Sequence, residues 1–259
     1  GLGRQLAEHL AHSGARLLLH GRDPGRGAET LRAIRAGTGN ARLEFVQADF
    51  ASLAEVHAMA GKLAAELERL DTLVNNAGIG SGGQGSAPRA LSRDGIELRF
   101  AVNYLAPFVL TRALLDLLQR SAPARIVNVS SAGQQALDFD DLMLERGYSG
   151  WRAYCQSKLA QILFTFDLAA ELRGTGVTVN CLHPSSLMPT KMVLEAYGHT
   201  MSTIAQGVEA TARLVTDPRL DAVTGRYFDV LREAKAHPQA YDVAARRALR
   251  AASERLAGG

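Results

Sequence analysis

Apolar positions along the chain fall into two kinds of stretch that alternate. Short continuous runs, "RLLLH" (16–20), "RLEFVQ" (42–47), "TLVN" (72–75), "RIVNVS" (125–130) and "VTVNCL" (177–182), have the length of strands buried on both faces. Between them lie longer stretches with apolar residues at helical spacing, at 2–13, 26–36, 93–119, 150–172 and 208–216. A further helix opens at the capping box Ser52-Leu-Ala-Glu55 and runs to about Leu67. Gly14 ends the first helix, and Gly37 with Gly39 stops the second. "RYFDV" predicts a late strand, and Pro238 begins a final helix. Apolar strands separated by helices predict a parallel sheet covered on both faces. No repeat, low-complexity linker or Pro/Gly/Ser boundary divides the chain, so a single doubly wound α/β domain is expected.

Composition narrows the function classes. The 259 residues are 47% hydrophobic and 21% charged, which is ordinary for a globular domain. The net charge of +3 comes without a long basic run. The cluster Arg246, Arg247 and Arg250 lies in an amphipathic stretch, the pattern of a solvated helix face, and no nucleic-acid partner is expected. Cys155 and Cys181 cannot build a disulfide framework, which suggests a reducing, cytoplasmic compartment, and no metal-ligand spacing is present. The longest apolar run, "FAVNYLAPFVL", is short of the ~20 residues of a membrane helix and contains Asn103, so no membrane segment is visible.

Candidate chemistry collects where ligands of such sheets sit, at the carboxyl ends of the strands. Gly1-Leu2-Gly3 precedes the first helix, where glycines let a backbone approach a phosphate and free N–H groups face it. The next strand ends come in turn at Gly21-Arg22, Ala48-Asp49, Asn75-Asn76-Ala77-Gly78, Ser130-Ser131 and His183-Pro184. Each alone is also a common turn sequence; their agreement in position is not explained that way. "AYCQSKLAQ" adds a phenol and an ammonium at i and i+4, Tyr154 and Lys158, which share one helix face. A lysine stem packed along a ring gives the same spacing without chemistry. As a pair, the ammonium would favour the phenolate and tune Tyr154 as a proton donor and acceptor.

"NNAG", "VNYLAPFVLT", "RIVNVSS", "YCQSK" and "LHP", in this order, resemble the short-chain dehydrogenase/reductase family over essentially the whole chain. "LDFDDLMLERGYSGWRAYCQSKLAQILF", "GRYF" and "AYDVAARRALRAAS" resemble its retinol-dehydrogenase-like branch. The resemblance implies a Rossmann-type sheet and an oxidoreductase moving a hydride between nicotinamide and a small carbonyl or alcohol substrate. It implies Tyr154 as general acid/base and Lys158 as its partner, also bonded to the cofactor ribose. Ser131 rather than Ser130 would polarise the substrate oxygen, and Asn103 would hold a water linking Lys158 to solvent. Gly1, Leu2 and Gly3 would meet the pyrophosphate, Asp49 and Phe50 the adenine, and Asn76, Ala77 and Gly78 the adenine-ribose side. Pro184 and Thr190 would lie by the nicotinamide. The family's glycine motif begins with a strand that would precede Gly1 in the middle of the sheet. "HPSS" departs from the family's Pro-Gly by placing Ser185 at the glycine.

The second strand ends "LLLHGRD". Gly21 stands where NAD-using members carry an acid, and Arg22 can bind a phosphate bidentately. Asp23 before Pro24 is expected to open a helix rather than bind a ribose. NADP(H) is therefore favoured over NAD(H). The pocket is expected from 80–93, 134–150 and 185–206, with 187–203 a mobile lid. The resemblance also implies a homodimer or homotetramer pairing through the helices that carry Asn103 and Tyr154. The competing reading is a catalytically silent, cofactor-sensing protein of the same fold. That class would be expected to lose Tyr154 or Lys158, and both are present.

Overall fold

The computed structural model describes residues 1–82 and 87–258; of the expected pocket loop at 80–93, positions 83–86 lie outside them. The parallel strands are β1 (Leu17–Gly21), β2 (Leu43–Gln47), β3 (Thr72–Asn75), β4 (Ala124–Val129), β5 (Val177–His183) and β6 (Tyr227–Asp229). A short β7 (Arg232–Ala234) turns back antiparallel on β6, a hairpin partner beyond the predicted "RYFDV" strand. Helices α1 (Leu2–Ala11), α2 (Pro24–Thr38) and α3 (Leu53–Glu66) connect the first strands. Then come α4 (Leu98–Phe100), a π turn (Ala101–Leu105), α5 (Ala106–Ala113), α6 (Leu115–Arg120), α7 (Gly150–Glu171), α8 (Lys191–Tyr197), α9 (Ile204–Thr216) and α10 (Val243–Ala257).

The layers follow from which side chains are apolar. Val127 and Val129 of β4 and Leu182 of β5 face Leu2 and Leu6 of α1 and Val208 and Leu214 of α9. On the opposite face Ile126 and Val179 join the cluster of α3, α5, α6, α7 and α10. The hydrogen-bonded order is β2-β1 in one ladder and β3-β4-β5-β6-β7 in another. The two ladders are not hydrogen-bonded to each other between β1 and β3, the place in the sheet where the resemblance puts the strand before Gly1; every residue of β1 is partly exposed, whereas every residue of β5 is buried. A cavity of 1750 Å³ runs between the two edges, lined by Leu17, Leu18 and Leu19 on one side and Leu73 and Val74 on the other.

The single helix expected over 93–119 is interrupted. The Ala106 N–H bonds the Ala101 carbonyl, five residues back. Pro107 has no N–H to give the carbonyl four residues earlier, that of Asn103, so the α ladder cannot pass unbroken. The segment at 187–203 holds a helix, α8, capped by Thr190, where weak periodicity predicted a loop. α9 begins four residues before its predicted start, at a reciprocal Thr203–Gln206 capping box. α10 packs on α7 and the π turn: Arg250 meets Asp167 at 2.6 Å and Glu171 at 2.8 Å, and Ser253 bonds the Tyr104 hydroxyl at 2.7 Å. No helix among the described residues is long and apolar enough to cross a membrane.

Candidate active site

Helix α7 presents the chemistry because its sequence is apolar nearly all round and packs it into the core, leaving one polar stripe. Tyr154, Lys158, Gln161 and Thr165 recur at intervals of four, three and four residues, which is one helix face. Ser149 caps the helix through the Arg152 N–H. Gly150 is obligatory at its first turn, since a Cβ there would collide with the Ser81 carbonyl.

Beside this stripe, β4 ends in two serines with different fates. Ser130 donates to the Lys158 carbonyl at 2.7 Å and is spent on holding α7. Ser131 faces the cavity, accepts from the Gly133 N–H at 3.0 Å and lies beside the Tyr154 phenol. Burial pushes that phenol up to about 12, with Ser131 pulling the other way. Lys158 is pushed down to about 8 by burial, and its ammonium lies 5.9 Å from the Tyr154 ring centroid. The lowered phenol pKa expected from the pair is therefore not what this arrangement produces: desolvation outweighs an ammonium that sits over the ring. Tyr154 holds its proton at neutral pH.

Asn103, at the π turn, is fully buried and does not line the cavity. Its side chain accepts from the Ile79 N–H at 2.7 Å and donates to the Ile79 carbonyl at 3.0 Å and Ser157 Oγ at 2.9 Å. The amide thus brackets the loop after β3 against α7. Pro107, four residues on, has no N–H to give the Asn103 main-chain carbonyl.

The remaining predicted residues mostly share one wall. Gly1, Leu2, Gly3, Arg22, Phe50, Asn76, Ala77, Gly78, Pro184 and Thr190 all line the cavity with Ser131, Tyr154 and Lys158. Asp49 does not: its carboxylate closes a turn on the Ala51 N–H at 3.0 Å and lies 3.7 Å from Arg93. Asp23 caps α2 through the Arg26 N–H at 3.0 Å, the role expected of it. Ser185, where the resemblance expected glycine, is buried in the same wall.

The cavity fits a dinucleotide. Helix α1 starts without a side-chain cap, so its first N–H groups are left for an anion. A Cβ at Gly3 would lie 2.5 Å from Asn76 Nδ2, and one at Gly78 3.2 Å from Asn103 Oδ1, so backbone alone can stand at both places. At the far end, His20 stacks on Phe50 with centroids 4.1 Å apart and bonds the Ala48 carbonyl at 2.9 Å. Arg4, Arg22 and Arg26 line this end and form no ion pair among the described residues. No group of three or more metal-ligating side chains occurs among the described residues.

Several of these residues carry no signal of their own in the sequence. Arg4 and Arg26 could have been found only as basic residues in the first turns after strand ends. Tyr197 of α8 stands by Ser81, Tyr154 and Cys155, and nothing in its periodicity marks it. Trp151 stacks over Tyr154 at 6.0 Å, and a Cβ at Gly80 would meet Met192 of α8 at 2.6 Å. Behind this apolar side, Arg99 and Glu97 are a buried pair 3.6 Å apart. Arg99 donates to the Gly80 carbonyl at 2.8 Å and to Tyr148 at 2.7 Å, and Tyr148 donates to Glu97 at 3.1 Å. One charged knot so joins the loop after β3 to the insertion before α7.

Comparison with known proteins agrees with this geometry. The short chain dehydrogenase family model matches residues 1–199. Retinol dehydrogenase 13 of Homo sapiens is 38% identical over 276 residues, covering 100% of this chain and 82% of that protein. Retinol dehydrogenase 14 of Homo sapiens is 36% identical over 285 residues, covering 100% and 83%. Among solved structures, a short chain dehydrogenase from Escherichia coli CFT073 complexed with NADPH has a TM-score of 0.73 at 26% identity, covering 90% of this chain and 92% of that one. The chain belongs to the short-chain dehydrogenase/reductase family, in its retinol-dehydrogenase-like branch, and is an enzyme of that family.

Proposed function

We propose that the protein is an NADP(H)-dependent oxidoreductase acting on an apolar aldehyde, ketone or alcohol, with Tyr154 moving the proton. The observation that carries this is that Ser131, Tyr154 and Lys158 line one cavity wall, with Tyr154 and Lys158 on the same helix face. A bound nicotinamide supplies or takes up the hydride. The residues do the rest. Ser131 orients and polarises the substrate oxygen, an oxyanion-type role. Tyr154, protonated at neutral pH, is set to give its proton to a developing alkoxide, which favours carbonyl reduction. Lys158, cationic below about 8, holds the ribose side and restores the phenol's proton through a water on the Asn103 carbonyl.

NADP(H) is favoured because Arg4, Arg22 and Arg26 are unpaired cations at the adenosine end, where a 2′-phosphate would need them. The apolar substrate class follows from Trp151, Met192, Ala196, Tyr197 and Met201 on the wall beyond Tyr154, and from the relatives' name, retinol dehydrogenase. In this reading 185–206, with α8 at its centre, is the lid over that wall.

The test is a panel of retinal, long-chain and short-chain aldehydes, and ketones, assayed with NADPH and NADH. Highest kcat/KM with NADPH and a long apolar aldehyde is expected. Turnover with NADH alone, or with short polar carbonyls alone, would reject the cofactor or the substrate part respectively.

A further inference from the structure

Lys158 is buried, and no carboxylate lies within ion-pair distance of it among the described residues. Its ammonium donates to two neutral oxygens, the Val129 carbonyl at 2.9 Å and Gln161 Oε1 at 3.0 Å. The groups it meets from β4, the loop after β3 and the π turn are Val129, Ser130, Gly78 and Asn103, all uncharged. Tyr154, on its own helix, is the titratable neighbour.

Gln161 has an unusual position for a glutamine. It is 1% exposed, and its Nε2 has no hydrogen-bond partner among the described residues. A flipped amide would not cure this. An ammonium has donors only, so the amide must turn its oxygen to Lys158 and leave the NH₂ orphaned. A buried orphan donor destabilises a fold, and a leucine of similar volume would not incur that cost. The helix turn beneath is fixed. Thr165 Oγ1 donates to the Gln161 carbonyl at 2.8 Å, Asn128 Nδ2 donates to Thr165 at 2.8 Å, and Asn75 Nδ2 donates to Asn128 at 2.8 Å and to Thr111 at 3.0 Å. A polar ladder across β4 and β3 thus anchors the turn from which Gln161 reaches the lysine.

We propose that Gln161 is a positioning residue for Lys158: its amide oxygen fixes the ammonium beneath Tyr154 and sustains its charge in a site without a counter-ion. The catalytic consequence rests on the proposed function; the effect on Lys158 itself does not.

The chain has four lysines, Lys62, Lys158, Lys191 and Lys235, so ¹³Cε-lysine labelling resolves them by NMR, with Lys158→Ala as assignment control. The protein is titrated without nucleotide, alongside Gln161→Leu and Gln161→Glu. In the Leu variant, loss of the acceptor should move the Lys158 midpoint down by about one pH unit, a tenfold change. In the Glu variant, a carboxylate should move it up. With NADPH and a carbonyl substrate, the alkaline limb of kcat/KM should follow both shifts. The Leu variant should lose about fivefold at pH 8, approaching tenfold at higher pH, while melting no lower than the parent, because it removes the orphan NH₂. An unmoved Lys158 midpoint in a folded Leu variant overturns the proposal, as does a Glu variant whose midpoint fails to rise. Shifted midpoints with no change in turnover would uphold the placement of Lys158 and instead reject its part in catalysis.

Discussion

The two sides of the cleft are built on different principles. On the α7 side, β5 is buried throughout and β4 nearly so, and a ladder of side-chain hydrogen bonds runs from Asn75 to Lys158, with the Gln161 NH₂ its one orphan group among the described residues. On the β1 side, every strand residue is partly exposed and the cations Arg4, Arg22 and Arg26 form no ion pair among the described residues. On the α7 side the fold spends its packing and hydrogen bonds on geometry, which the proposed proton transfer would need. On the β1 side it leaves charge uncompensated, which in the proposed function a ligand phosphate would balance.

The largest way to test that division is Tyr154→Phe. Turnover should fall by about 10³-fold or more, since one group carries the proton, while NADPH titrated by fluorescence binds within about twofold of the parent. A residual rate above a tenth of the parent would remove Tyr154 from its role. Stability should divide the same way. Leu163→Ala in α7, at 0% exposure, is expected to cost about 2–5 kcal/mol by chemical denaturation. Leu18→Ala in the partly exposed β1 should cost about 1 kcal/mol. Equal costs would mean that the two sides are equally well packed.

Arg22→Ala addresses the recognition side. The kcat/KM ratio of NADPH over NADH should fall about 10-fold to 100-fold with kcat little changed. An undiminished ratio would place the choice with Arg4 and Arg26. The smallest expected effect is a pH dependence of stability. Lys158 falls from 10.5 unfolded to about 8 folded, so above about 8 the unfolded chain binds a proton that the folded chain does not. Its contribution to stability then rises with pH, by about 1 kcal/mol per unit. Cys155 and Cys181, raised from 9.0 to about 12, oppose it above pH 9, so the window is pH 8 to 9. The rise should be present in the parent and absent in Lys158→Met, compared by urea midpoints.

The sequence made the chemistry side far more legible than the recognition side. Alternating runs located the strands closely, 72–75 to the residue, because buried strands must be continuously apolar. Tyr154, Lys158 and Ser131 were singled out by spacing, strand-end position and the family resemblance, and they line one cavity. Three things were not legible, each for a physical reason. The break at Ala101–Leu105 depends on what Pro107 withholds one turn away, while the apolar pattern runs on through it. Asp49 turned out to bond its own loop because an Asx turn competes with any ligand for the same carboxylate. Tyr197 and the buried Glu97–Arg99 pair owe their places to contacts between distant segments, which no local period records.

The Arg99 knot has a consequence for how this enzyme's substrate range could be altered. Gly80 in the cavity wall and Tyr148 in the insertion before α7 are held by the same guanidinium. A change of shape in either segment is felt by its opposite, so the two form a single inherited unit. Libraries that diversify one loop while keeping the other constant would sample mostly broken pockets. Exchanging both segments together with Glu97 and Arg99, as one cassette from a related enzyme, keeps the knot and transfers the shape.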